Sequence, residues 1–113
     1  MKKSLVTLLV VTAAAVLATP ALAGSTATVK VGDDYFVKSG KTPTVTVKAG
    51  TTVTWKWAGR APHDVTVTSG PVKFRSGSGK TSGTFKKKLT KKGTYKIICT
   101  IHAPDMAMVL KVK

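Results

Sequence analysis

From Thr26 onward, apolar and polar residues alternate in short runs. Alternation with a period of two puts every second side chain on one face, the signature of a half-buried β-strand. Thr26 to Val31 predicts a first strand, and Tyr35-Phe36-Val37 a short return after a turn at Gly32-Asp33-Asp34. The chain breaks again at Ser39-Gly40-Lys41; Val45 and Val47 then alternate with threonines up to a turn at Ala49-Gly50. Val53, Trp55 and Trp57 continue the pattern, with Thr54 and Lys56 on the other face. After the loop Ala58 to Pro62, His63 is expected to open the next strand, because Val65 and Val67 share its parity. Thr84 to Leu89, Tyr95 to Cys99 and Met106 to Val112 follow, the first two separated by a turn at Lys91-Lys92-Gly93. Ser69 to Gly83 is the loosest region, where Val72-Lys73-Phe74 adds a short strand or pins the loop to the core. Lys87 shares the parity of Phe85 and Leu89, so its stem is expected to lie over the core edge with the amine in water. Short strands divided by turn signals predict an all-β domain, a sandwich or a barrel of about eight strands.

The first 23 residues follow another pattern. Lys2 and Lys3 precede an apolar run from Leu5 to Ala18, and Ala21-Leu22-Ala23 has the small-x-small form of a cleavage site. This reads as a secretory signal cut after Ala23; the apolar run is short for a bilayer crossing. The remaining 90 residues, 24–113, make one small domain with a modest core. Export changes the meaning of the one cysteine, Cys99. It has no partner for an intramolecular disulfide, and an odd thiol in an oxidising compartment is a liability unless something occupies it. Charge is lopsided: without Lys2 and Lys3, 17 basic side chains face 4 acidic ones, a net +13. Such a surface attracts an acidic protein partner or an anionic envelope surface.

Candidate chemistry gathers near the C-terminus. Cys99 lies three residues before His102, and Met106 follows four residues later. The other histidine, His63, stands far upstream after Pro62. One thiolate, two imidazoles and a weak thioether form the donor set of a blue-copper electron-transfer site. The competing reading is a buried free thiol with two surface histidines, which leaves the spacing and the export signal unexplained. Ser78-Gly79-Lys80-Thr81 resembles the end of a phosphate-binding loop, but Phe74 stands where the first glycine is needed, and no helix is expected to follow. Lys86-Lys87-Lys88 with Lys91-Lys92 invites a nucleic-acid reading; Phe85 and Tyr95 belong to the core, so no stacking platform exists and no specific nucleic acid is expected.

The whole pattern resembles a known family. Val45-x-Val47-Lys48-Ala49-Gly50-x-x-Val53-Thr54-Trp55, then His63-Asp64-Val65, then Ser82-Gly83-Thr84-Phe85 through Lys92-Gly93-Thr94-Tyr95-x-x-x-Cys99, is similar to small type I copper proteins. These are cupredoxins of the plastocyanin, amicyanin and halocyanin kind. The resemblance implies a Greek-key β-sandwich over residues 24–113 and one copper ion held by His63, Cys99 and His102. It leaves two methionines for the axial place: Met106 fits an azurin-like spacing and is preferred, while Met108-Val109-x-Lys111-Val112 echoes the plastocyanin ending. Plastocyanins tie their two ligand loops together with an asparagine side chain near the first histidine. This chain has no asparagine, and Trp57 occupies the comparable region. Asp64 and Asp105 flank the candidate ligands and read as ordinary loop residues.

The function implied is a monomeric, exported carrier of single electrons, not an enzyme, with an apolar port at Ala61, Pro62, Ala103 and Pro104 around His102. Two alternatives use the same sequence: a copper-storage or delivery protein of the envelope, and a cationic β-sandwich adhesion module without metal.

Overall fold

Each alternating run becomes a strand. The computed structural model describes residues 25–113, so the expected signal segment Met1 to Ala23 lies outside the described residues. The strands are β1 (Thr26–Gly32), β2 (Tyr35–Phe36), β3 (Thr44–Val47), β4 (Thr51–Trp57), β5 (Thr66–Ser69), β6 (Thr84–Leu89), β7 (Gly93–Ile98) and β8 (Ala107–Val112). They form two four-stranded sheets, ordered β2-β1-β4-β6 and β3-β8-β7-β5. The β1–β4 and β3–β8 pairs are parallel, so each of these neighbours is reached by a crossover and not by a hairpin. This is the all-β sandwich expected, with no helix among the described residues.

The core lies between the sheets. Val29, Val31, Val53, Trp55 and Leu89 point inward from one layer, and Val67, Tyr95, Ile97, Met108, Leu110 and Val112 from the other. Fully burying an aliphatic or aromatic side chain of this size contributes about 1.5–3 kcal/mol. The Tyr95 hydroxyl is not left unpaired: it donates to the Lys91 carbonyl at 2.7 Å, while burial pushes its pKa up. Lys87 behaves as its parity implies. It is half-buried, with its amine 5.6 Å from the centre of the Phe74 ring.

Two expectations change. β5 begins at Thr66, and His63 instead makes a single antiparallel bridge with Lys80, each amide donating to the other's carbonyl at 3.0 Å. The segment from Gly70 to Gly83 is therefore not loose. It runs back along β5, with Val67 N–H donating to Phe74 O at 3.0 Å and Ser76 N–H to Val65 O at 2.8 Å. The Ser76 hydroxyl accepts from Val65 N–H at 2.9 Å, completing the ladder where no backbone partner is in reach. Lys80 of the rejected phosphate-loop motif lies 5.1 Å over the Trp57 ring and donates to Thr84 O at 3.0 Å.

Because the buried Val65 amide depends on that hydroxyl, Ser76→Ala should cost about 1–2 kcal/mol of folding stability. Ser76→Thr should cost clearly less. Denaturant melts of the metal-free protein check both; equal losses would show that the hydroxyl is not the cause.

Candidate metal centre

The strand ends of both sheets bring three loops to one pole. The β4–β5 loop delivers His63, the β7–β8 loop delivers Cys99 and His102, and the β1–β2 turn delivers Asp33 and Asp34. Three of the sequence-predicted donors, His63, Cys99 and His102, meet here. His63 Nδ1 and His102 Nδ1 are 3.2 Å apart, and Cys99 Sγ lies 3.6 Å from His102 Nδ1 and 3.9 Å from His63 Nδ1. A point equidistant from the three atoms is roughly 2.1 Å from each, the length of a metal–imidazole bond. The donor set and its size therefore fit a single copper ion. His63 and Cys99 are fully buried, and His102 keeps 27% of its side chain exposed.

Met106 and Met108 are both buried, so burial does not separate them. The strand ladder gives them different places. Ile98 faces Ala107 and Ile97 faces Met108; one step further, Cys99 N–H donates to Met106 O at 3.0 Å. Met106 is thus the residue opposite Cys99, and its own N–H donates to His102 O at 3.3 Å. Met108 sits one layer deeper, between Ile97 and the core.

The β1–β2 turn was missed by sequence reasoning, which took Gly32-Asp33-Asp34 for a turn and nothing more. Asp33 Oδ1 lies 3.0 Å from His63 Nε2. A proton on Nε2 serves that contact and leaves the Nδ1 lone pair facing the other two donors, so the carboxylate selects the tautomer a metal requires. Asp33 also accepts from Arg60 N–H at 2.9 Å and Ala61 N–H at 2.9 Å. The His63 contact first, then the Ala61 amide, hold its carboxyl down at about 2. Gly59 makes this possible, because a Cβ there would collide with the Asp33 carboxylate. Asp34 takes a positive φ of 69°, which a short polar side chain tolerates, and brings Oδ1 to 3.3 Å from His102 Nε2.

Asp64 corrects another expectation. It is no ordinary loop residue: it is 1% exposed. Its Oδ1 accepts from Thr100 N–H at 3.0 Å and from Thr66 Oγ1 at 2.9 Å, and its Oδ2 accepts from Thr100 Oγ1. Asp64 adjoins His63 and Thr100 adjoins Cys99, so this side chain ties the two donor loops together, the task of the absent asparagine. Trp57 does not perform it; its ring is 6% exposed and packs in the core. A signal was present in the sequence: an acidic residue directly after the candidate histidine, in a chain with only four acids.

Apart from Asp34, the residues around His102 are apolar. Pro62, Ala103 and Pro104 are exposed, Ala61 is half-buried, and Ile101, not anticipated, is 48% exposed. Asp105 is exposed on the same loop.

Comparison with known proteins agrees with this geometry. A family profile described as copper binding proteins, plastocyanin/azurin family, matches residues 25–113. Amicyanin-alpha of Methylorubrum extorquens is 38% identical over 65 residues, 55% of each chain, so the match spans about half the length of that relative. Among solved structures, an oxidised amicyanin variant aligns with a TM-score of 0.63 at 27% identity, over 76% of this chain and 80% of its own. A purple cupredoxin from Nitrosopumilus maritimus gives 0.64 at 22% identity, over 77% of this chain and 99% of its own. A copper-containing nitrite reductase from Thermus scotoductus gives 0.65 at 24% identity, over 77% of this chain but 22% of its own. The last two identities speak to the fold alone.

Two outcomes follow from the ties. Asp64→Ala should weaken copper retention by about tenfold or more, whereas Asp64→Asn, which can still accept from Thr100 N–H, should stay within a few-fold. Competition against a chelator measures both. Gly59→Ala should displace Asp33 and weaken copper binding as Asp33→Ala does, and the double variant should be no worse than Asp33→Ala alone. Additive losses would mean that Gly59 acts elsewhere.

Proposed function

The chain belongs to the copper-binding plastocyanin/azurin family, and on that basis we propose that it is an exported carrier of single electrons. The observation that carries this reading is the convergence of one thiolate and two imidazole nitrogens at metal-bond spacing, buried at one pole of a rigid sandwich. Bound copper would supply one-electron chemistry between its +2 and +1 states. His63, Cys99 and His102 are assigned as the strong ligands and Met106 as the weak axial donor, on the strength of its place opposite Cys99.

The protein's part is to hold these donors still. A site that suits both oxidation states only partly needs little rearrangement on electron transfer, and it is tuned by the axial ligand and by the surroundings of the sulfur. Here the two sheets, the Asp64 tie and the Asp33 contact resist movement. The exposed edge of His102, within its rim of Pro62, Ile101, Ala103 and Pro104, is the port. A partner that packs against this rim brings its own redox centre close to the metal. The net +13 of residues 24–113 draws an acidic redox protein from a distance, an attraction that weakens as salt rises. The carrier acts as a monomer and converts no substrate. The nitrite reductase it resembles is a much larger chain, of which this domain covers 22%.

Copper(II) added to the reduced, purified domain should give an intense blue colour that Cys99→Ser abolishes. A folded protein that stays colourless would overturn the carrier reading. Fast electron self-exchange with slow release of copper to a chelator would separate a carrier from a storage protein. Met106→Leu should shift the reduction potential strongly and Met108→Leu weakly; the reverse order would move the axial role to Met108.

A further inference from the structure

The outer face of the β2-β1-β4-β6 sheet is a grid of threonine and lysine. Its rows, read across the paired strands β1, β4 and β6, are Thr26-Thr52-Lys88, Thr28-Thr54-Lys86 and Lys30-Lys56-Thr84. The alternate residues point into the core, so these side chains share one solvent-facing surface, and all four lysines are exposed. At ordinary strand and residue spacings the grid measures about 10 by 13 Å. It contains no acidic side chain. Tyr35 extends its edge by lying flat on Gly32, with the Lys30 amine 5.5 Å above the ring.

The acids are all elsewhere. Asp33 and Asp34 stand at the two histidines, Asp64 ties the donor loops, and Asp105 lies in the Cys99–Met106 loop. The chain has no others. Acidic side chains are thus confined to the pole that carries the port, and the side chains of a sheet face at right angles to that pole include lysine and no acid.

We propose that this face docks on a bilayer rich in anionic lipid, holding the His102 port sideways and free. Charge complementarity identifies the occupant, and the shape of the face selects among anions. No enclosed pocket opens among the described residues, so this face meets a partner as an open surface. Nor is the face built like a protein interface, where lysine is depleted and aromatic or arginine anchors dominate. Exposed lysines spread along one row and one edge of a sheet face instead match a surface of headgroups, to which each contributes. Docking itself uses no property of the metal; only the freedom of the port rests on the electron-carrier reading.

The test uses copper-loaded protein of residues 24–113, which contains the whole sandwich. Sedimentation with phosphatidylcholine vesicles holding about one third phosphatidylglycerol should capture it, and pure phosphatidylcholine vesicles should not. Replacing Lys30, Lys56, Lys86 and Lys88 by Gln should weaken binding by at least about tenfold, each lysine counting for roughly fivefold before salt screening. Replacing Lys41, Lys92, Lys96 and Lys111, which lie off this face, removes the same charge and should cost much less. If the fourfold face variant does not fold, the pair Lys86→Gln and Lys88→Gln on the edge strand serves in its place. Equal losses from face and control variants would show that net charge alone binds, and overturn the proposal. Protein that ignores the anionic vesicles but binds heparin through the same four lysines would overturn it too, assigning the face to a polysaccharide.

Discussion

Three electron-rich atoms are held close together in this protein, and that constraint shapes the rest. Two imidazole nitrogens and a sulfur lie within 4 Å of one another, and a metal needs a lone pair from each. Each side chain by itself is free to rotate away. The structure removes that freedom one donor at a time. His63 is held from behind by Asp33 and along its backbone by Lys80. Cys99 is held by its ladder bond to Met106, and the loop between them closes on itself through the bonds from His102 N–H to Cys99 O and from Met106 N–H to His102 O. Asp64 then locks one donor loop to the other. The cost of gathering the donors is met during folding, so it does not recur each time an electron moves.

The same constraint accounts for the distribution of acids. A carboxylate next to a metal-binding imidazole is useful twice: it orients the ring and raises the basicity of the donor nitrogen. On a chain with so many lysines, acids placed at random on the surface would mostly be neutralised. Confined to the three loops at the metal pole, they act locally while the strand faces stay cationic. Gly59 belongs to this arrangement although it touches no donor, since a side chain there would push Asp33 off the two amides that hold it.

The strands and the donor set were legible in the sequence for a simple reason: both are periodic or local signals. Val53-Trp55-Trp57 announces its face by parity alone, and Cys99 and His102 lie within one loop. The supporting groups were not legible, because their meaning depends on contacts between distant segments. Asp33 and His63 are 30 positions apart, and Gly32-Asp33-Asp34 has the composition of any tight turn. Asp64 and Thr100 are 36 positions apart, and the place of Asp64 directly after His63 does not name Thr100 as its partner. The Gly70 to Gly83 segment was misread for the opposite reason. Its composition is that of a flexible loop, but its backbone bonds to Val67, Val65, His63 and Trp57, and Ser76 lends a side chain where the ladder falls short.

The choice between the two methionines is finally a question of register. Met106 and Met108 lie on the same face of the last strand, so a slip of two residues would exchange them without turning any apolar side chain outward. The usual safeguard, that a slip of one residue exposes the core face, does not protect against a slip of two. What does is the far end of the ladder. Gly93 pairs with Val112, and Pro71 packs so closely over Gly93 that a Cβ there would clash with its ring. Val112 in turn pairs with Val47 of β3, and Lys113 N–H donates to Val47 O at 2.9 Å. A slip of β8 would have to break its pairing with two strands at once and leave Leu110 opposite Ile97, where Met108 now fits. The identity of the proposed axial donor is therefore decided at the pole opposite the metal, by the pairing of the last residues of the chain.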